Sequence, residues 1–508
     1  MGDTQRTREG LIAGGLGAAL AVAVSIGLGL ATGTPSLPEL LSDSILGLTP
    51  GQVFSFVLDR LQVAAKPLFY LVFVLGLVAI GSAIGGWFSR SLSRPSGAGG
   101  PSVLGRSLLL SIVLWLVQEV VLLPLAGTGF FGQDLRFVGA LGPAIRLVGL
   151  FVYGLVLAGT LSLLRPDSRF LPPRRTALRW SVLAVLGLTG GGALLRALTG
   201  ARDLGAVSRV TGRSGAGHPE PITPVGSFYS ISKNFFDPVV DKSGWKLEVT
   251  GLVRQRLELT ADQLRARPQY DQLQTLMCIS NEIGGDLISN GAWRGVRLGE
   301  LLSSAGVETG AVDVVFTCAD DYTDSITIAK AMEPGTLLAL DMNGAPLTDK
   351  HGAPLRCVVP NIFGMKNAKW IRKIEVVGTD YQGFWQRQGW SDSAEIVTMS
   401  RIDYPFTGSQ LQSGEVELGG IAFAGARGIS GIELSFDERK SWQPGTLLEP
   451  IAPLSWRFWT YRWRTERSGA FNVEVRAIDG EGVRQKELPS DPYPDGATGY
   501  HRIFLRVA

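Results

Sequence analysis

Five stretches of roughly 20 apolar residues crowd the first 200 positions, and that is the length an α-helix needs to cross a hydrocarbon core. They cover 10–31, 67–88, 107–125, 145–164 and 178–198. A water-soluble fold of this size offers no core for so much apolar surface, so residues 1–198 are predicted to form an α-helical membrane bundle of five spans. The first stretch lacks a convincing cleavage site and four more follow it, which argues against a removed signal peptide. The arginines set the orientation. Arg6 and Arg8 precede the first stretch, Arg90, Arg94 and Arg106 separate the second from the third, and Arg165, Arg169, Arg174 and Arg175 separate the fourth from the fifth. The alternate loops hold fewer basic residues, Arg60, Lys66 and Arg136, beside Glu39, Asp43, Asp59 and Asp134. Positive loops stay in the cytoplasm, so whatever follows the fifth span is expected outside the cytoplasmic membrane.

The charge of the chain splits accordingly. Residues 1–215 carry 18 Lys and Arg against 9 Asp and Glu, and the remainder 30 against 36. The arginines of the first part flank apolar runs and line no single face, which excludes a nucleic-acid surface. Glu119 lies inside the third stretch, where a carboxylate is costly unless paired, and Arg146 at the start of the fourth is within reach. A structural pairing or snorkelling accounts for it, and so does a proton or quinone role. The three histidines, His218, His351 and His501, all fall outside the spans, and no C-x-x-C-H run occurs. This polypeptide is therefore expected to hold no haem. Paired Arg174 and Arg175 ahead of the fifth span resemble a twin-arginine export signal.

Residues 199–226, rich in Gly, Pro and Ser, read as a linker. Beyond it, residues 227–392 mix short strands (245–253, 312–317, 356–359) with a short helix at 260–265 that opens on Thr260, an α+β pattern. From 393 to 508 the pattern is all β: Ile432, Leu434 and Phe436 alternate with polar neighbours, as do Phe471, Val473, Val475 and Ala477, and the run IFLRV closes the series. Several short strands in this compass predict an immunoglobulin-like sandwich without its disulfide. The only cysteines are Cys278, Cys318 and Cys357, which excludes a disulfide framework and zinc-type spacing. Cys318 and Cys357 are expected to be buried free thiols in neighbouring strands.

Two segments carry candidate chemistry. Cys278 sits in QTLMCISNEIGGDLISNGAWRGVRL, where an apolar run breaks into a polar, Gly-containing loop. A lone cysteine there is commonly a small buried hydrophobe, and a soft thiolate at a strand exit also suits a soft or high-valent metal. In HGAPLRCVVPNIFGMKNAKWI, His351, Arg356, Lys366 and Lys369 surround a buried strand and a turn. Cations converging with backbone N–H groups at a turn can hold a phosphate; a solvated basic loop has the same composition.

These two segments, in this order, resemble the molybdopterin-binding domain of the sulfite oxidase family. FYSISKNFFDP from Phe228, GWKLEVTGLV, GAWRGVRLGELL, LLALDMNGAPL and GFWQRQGW add to the likeness, and GISGIELSFDERKSWQPGTL and FNVEVRAIDGEG are similar to that family's C-terminal dimerisation domain. The resemblance covers nearly all of 220–508 and none of the membrane bundle. It implies a molybdenum–molybdopterin cofactor with Cys278 as the thiolate ligand. It implies further that His351, Arg356, Asn367, Ala368 and Lys369 bind the pterin and its phosphate, with Tyr229 and Ser230 touching the pterin.

Three positions depart from the family pattern. Ile231, Ile283 and Trp390 stand where sulfite oxidases carry two arginines and a tyrosine around the metal, and Glu282 lies beside Ile283. A pocket without those cations is expected to bind sulfite poorly, since a desolvated dianion needs paired charge. The expected function is oxygen-atom transfer on a small substrate, with electrons exchanged with a separate carrier, a cytochrome c or a membrane haem protein. The alternatives are a methionine-sulfoxide-reductase-like enzyme fed by a haem membrane partner, and a cofactor-free interaction module. The sandwich domain implies a possible homodimer, which two membrane bundles side by side make harder to form.

Overall fold

The computed structural model describes residues 3–32, 34, 36–41, 65–92, 102–125, 129–132, 141–164, 217–234, 237–238, 240–465 and 467–508. The fifth apolar stretch, Arg174, Arg175 and most of the expected linker lie outside the described residues. The chain divides into two compact units, one built on the N-terminal helices and one holding nearly everything from residue 205 onward.

Among the described residues of the first unit, four helices are long and apolar enough to cross a membrane: α1 (Asp3–Thr32), α2 (Ala65–Ser91), α3 (Val103–Val117, running on to Leu125) and α4 (Leu141–Leu164). α1 packs on α2 and α4, and α3 packs on α4. Small residues allow the approach: a Cβ added at Gly14 would lie 2.3 Å from the carbonyl oxygen of Gly81. Tyr153 Oη donates to that same carbonyl at 2.8 Å. Past Val117 the third span widens into a π turn, Gln118–Leu122. Glu119 on that turn is fully buried and takes a two-pronged bond from Arg146, Nε to Oε1 at 2.6 Å and Nη2 to Oε2 at 2.7 Å. The pairing expected from the sequence is what the geometry shows.

The described residues of the second unit contain four sheets. The first runs Leu257–Thr260, Lys246–Gly251, Ile371–Val377, Asp313–Cys318, Thr323–Thr327, antiparallel except for the central Lys246–Gly251 and Ile371–Val377 pair. The helix after Leu257–Thr260 starts on a capping box, Thr260 Oγ1 accepting from the Gln263 amide while Gln263 answers to the Thr260 amide. The second sheet runs Tyr270–Met277, Ile288–Arg297, Leu337–Met342, Ala345–Pro346, with Arg356–Val358 also paired to Leu337–Met342. These two sheets share one apolar core, into which Cys318 and Cys357 both turn. Both are buried free thiols, as expected, but their strands belong to different sheets and are not neighbours.

The last 110 residues form two more sheets. One is ordered Met399–Tyr404, Gly414–Phe423, Arg457–Thr465, Thr446–Leu447; the other Gln410–Leu411, His501–Val507, Gly469–Asp479, Ile429–Ser435, Gln443–Pro444. Their inward residues, among them Leu418, Trp459, Leu434, Val473, Val475 and Leu505, make a second core between the sheets. The period-two alternation read from the sequence is the alternation of this core with solvent.

Candidate cofactor site

The strand Tyr270–Met277 ends at Cys278, which is buried at the head of a loop. Its amide donates to the Leu287 carbonyl at 2.9 Å and its carbonyl accepts the Asn281 amide at 3.1 Å. Burial pushes the Cys278 thiol up. Hydrogen bonds from the Ser280 backbone and hydroxyl and from the Ile279 backbone work the other way, toward thiolate. A small cluster surrounds it: Phe228, Tyr229, Leu276, Trp293, Ala339, Ala353 and Val358.

Arg356, on the strand paired to Leu337–Met342, brings a guanidinium into the same place. It is 6% exposed, its Nε has no hydrogen-bond partner, and among the described residues no carboxylate pairs with it. The Trp293 ring lies 5.1 Å from the guanidinium carbon, and Tyr229 and Cys357 also favour the charged form. Burial brings it down to about 10. Tyr229 lies close enough to both groups that Cys278 and Arg356 act on its phenol in opposite senses, burial raising it most. The Tyr229 hydroxyl also lacks a partner, and it rests on Gly364, where a Cβ would lie 2.3 Å away.

His351 Nε2 faces the Val225 carbonyl at 3.1 Å, which makes Nε2 the protonated nitrogen and leaves Nδ1 as a buried acceptor without a partner. Burial first, then the charge of Arg356, lowers it to about 3, so the ring is neutral. Ser230 and Lys369 stand beside it: Lys369 Nζ donates to Ser230 Oγ and to the Lys350 carbonyl, both at 3.3 Å.

Tyr229, Ser230, His351, Arg356 and Lys369 are thus brought into one neighbourhood with Cys278. Asn367 and Ala368 also make contacts within their own loop. The Asn367 amide closes its own loop, accepting from Val359 N–H at 2.8 Å and donating to the Phe363 carbonyl at 3.2 Å, and the Ala368 carbonyl accepts the Cys357 amide at 2.8 Å. Lys366, read from the sequence as one of the converging cations, turns away. Its Nζ lies 3.3 Å from Asp324 and 3.0 Å from Asp392, and donates to the Ser325 carbonyl at 2.9 Å. Asp324 is fully buried and also accepts from Tyr322 Oη at 2.6 Å, and such a carboxylate holds the lysine more strongly than any solvated phosphate contact would.

A narrow cleft borders the loop after Cys278, lined by Asn281 to Gly284, Phe363, Val397 to Ser400, Gln485 and Gly499. Glu282 is its one charged lining residue, and no arginine, lysine or histidine lines it. Ile283 is in this lining, and Trp390 is buried with its Nε1 unpartnered and its ring centroid 5.2 Å from that of Tyr493.

Three buried polar atoms without partners, a guanidinium with no counter-ion among the described residues and a thiol come together at one place, a donor set that can take an anion and a soft metal. A phosphorylated pterin that carries a thiolate-ligated metal fits that donor set. Residues 235–385 match the family model described as the oxidoreductase molybdopterin binding domain. The chain is 27% identical to a sulfite oxidase of Arabidopsis thaliana over 348 residues, 56% of this chain and 88% of that protein. It is 33% identical to the uncharacterized oxidoreductase YuiH of Bacillus subtilis over 150 residues, 30% of this chain and 74% of that protein. It spans a little over half the length of the mitochondrial sulfite oxidases that it also matches. The crystal structure of the sulfane dehydrogenase SoxCD from Paracoccus pantotrophus superposes with a TM-score of 0.52 at 21% identity, covering 59% of this chain and 85% of that one, which shows a shared fold. The chain belongs to the sulfite oxidase family of molybdopterin-dependent oxidoreductases.

Proposed function

We propose that this chain is a membrane-anchored molybdenum-cofactor enzyme that transfers an oxygen atom to or from a small substrate on the outer side of the cytoplasmic membrane. The observation that carries the reading is the buried, counter-ion-free guanidinium of Arg356 beside Cys278. An isolated buried charge is retained only where something of opposite sign completes it, and a pterin phosphate does.

In this reading Cys278 is the metal's protein thiolate. Arg356 and Lys369 neutralise the phosphate, neutral His351 accepts a hydrogen bond at Nδ1, and Tyr229 and Ser230 close the site from the N-terminal side. Asn367 and Ala368 shape the loop that presents Lys369. When bound, the cofactor supplies two-electron oxygen-atom chemistry, and the pterin contacts tune its potential. The protein's part is to hold the ligand, exclude water and keep the histidine uncharged. Electrons pass to or from a separate carrier, a cytochrome c or a membrane haem protein. Residues 227–392 form the catalytic domain and 393–508 an immunoglobulin-like domain of the dimerisation type, which would allow a homodimer.

The cleft favours a second, narrower reading: with no cationic side chain in its lining, it suits an uncharged oxygen donor better than sulfite, as a sulfoxide-reductase-like enzyme would require. Molybdenum and pterin analysis of the full-length chain, purified from cells that make the cofactor, tests the main reading. One molybdenum per chain with a Mo(V) paramagnetic signal is expected; a protein free of both metal and pterin would leave only a binding module.

A further inference from the structure

The loop that starts at Cys278 is a closed ring. Cys278 N–H bonds the Leu287 carbonyl, the Leu287 amide donates to Asn281 Oδ1 at 2.8 Å, the Asn281 amide returns to Cys278, and the Gly285 amide to Glu282 at 2.9 Å. A ring this tight moves as one piece, so a push on Gly284 or Gly285 reaches the sulfur. Two residues from the C-terminal sheets bear on those glycines. Arg401, on Met399–Tyr404, is 2% exposed; its Nη1 donates to the Gly285 carbonyl at 2.6 Å while its Nε donates to Asp403 Oδ1 at 2.6 Å. One guanidinium fork therefore joins a strand carboxylate to the metal-ligand loop, with the Asp286 carboxylate 3.8 Å from Nη1. His501, on His501–Val507, is fixed by the Ile402 amide donating to its Nδ1 at 3.0 Å. Its ring abuts Gly284, where φ is +71° and a Cβ would lie 2.2 Å from Cδ2. Ile283 is held too, since a Cβ at Gly499 would meet its Cδ1 at 2.8 Å.

We infer that Arg401 and His501 are positioning residues for the Cys278 loop, so that the C-terminal sheets set the geometry of the metal ligand. The inference rests on Cys278 being that ligand. Arg401 pulls on the loop through the Gly285 carbonyl and His501 supports it from the side of Gly284. The same loop walls the cleft, so the two residues also set how far Ile283 stands from Met399 and Ser400 across it.

The test uses two variants of the full-length, cofactor-loaded chain. Arg401→Lys keeps the charge beside Asp403 but has no fork to span both acceptors. Gly284→Ala sets a Cβ against the His501 ring and forces the loop away from it. Both are expected to keep wild-type molybdenum content, because the pterin-holding residues lie elsewhere, and both are expected to shift the g-values of the Mo(V) signal. Deuterium uptake of the 279–287 peptide is expected to rise about tenfold in Arg401→Lys, the effect of losing one charge-assisted hydrogen bond. Unchanged g-values and uptake in both variants would overturn the inference. So would loss of molybdenum from both, since the contacts would then be holding the fold and not the loop. A wild-type chain without molybdenum would count against the enzyme reading instead, and the deuterium uptake would still decide whether Arg401 clamps the loop.

Discussion

Replacing Arg356 with methionine should move the stability of the cofactor-free and cofactor-loaded proteins in opposite directions. The guanidinium is fully desolvated, and its pKa falls from 12.5 to about 10. At 1.36 kcal/mol per pKa unit, the folded cofactor-free protein disfavours this charge by about 3 kcal/mol. The Trp293 ring returns about 1 kcal/mol of that as a cation–π contact. Methionine keeps the apolar stem and removes the charge, so the cofactor-free variant should be more stable than the wild type by about 1–2 kcal/mol. That is a rise of a few degrees in melting temperature for a unit of this size. In the loaded protein the charge is completed by the phosphate, and each charge-assisted bond lost costs about 1.5–3 kcal/mol. Bound pterin should fall at least about tenfold. Protein from cells unable to make the cofactor, melted in detergent by tryptophan fluorescence, gives the first number, and pterin analysis of protein from competent cells gives the second. A cofactor-free variant that melts below the wild type would refute the reasoning, because Arg356 would then have an internal partner.

Cys278→Ser should abolish turnover and the native Mo(V) signal while pterin content falls only in part, since a hydroxyl is a poor stand-in for the thiolate; an unaltered signal would detach the metal from this residue. His351 is held neutral with its pKa lowered to about 3, so below pH 6.5 the unfolded chain binds the extra proton and stability falls by about 1.4 kcal/mol per pH unit down to about pH 3. His351→Gln should remove about 2 kcal/mol of the loss between pH 6.5 and 5 in urea titrations, and an identical slope in the variant would contradict the assignment. Asp324→Asn should lower the urea-unfolding stability by about 3 kcal/mol, because Lys366 would keep only the half-exposed Asp392 as its counter-ion, and a change within error would mean that the pair is not buried in solution. Arg174→Lys with Arg175→Lys should stop export of the second unit if the cofactor is inserted before export; undisturbed protease accessibility on whole spheroplasts would leave those arginines as a membrane anchor only.

Which of these features could be read in advance follows from how many partners a residue has to choose from. The spans were legible because the bilayer fixes their length, and four of the five are helices of that length. Within them Glu119 and Arg146 could be paired across 27 positions because lipid-embedded charges have almost nothing but one another. The strands Lys246–Gly251 and Gly469–Asp479 were legible through alternation, and the helix at Ala261 through the Thr260 to Gln263 spacing, since those signals are local. Lys366 shows where that kind of reading stops. It lies three residues before Lys369 in one basic stretch, yet it answers to Asp324, 42 positions upstream, while Lys369 reaches Ser230. With 36 carboxylates after residue 215, composition does not say which one a lysine will meet. The same holds for Arg401, whose sequence neighbourhood shows only an arginine two residues before an aspartate on one strand face. Its second acceptor, the carbonyl of Gly285, carries no side chain and so leaves no trace in the sequence. Contacts made to backbone by residues far away in the chain are what a single sequence conceals, and here they converge on the loop that begins with the candidate metal ligand.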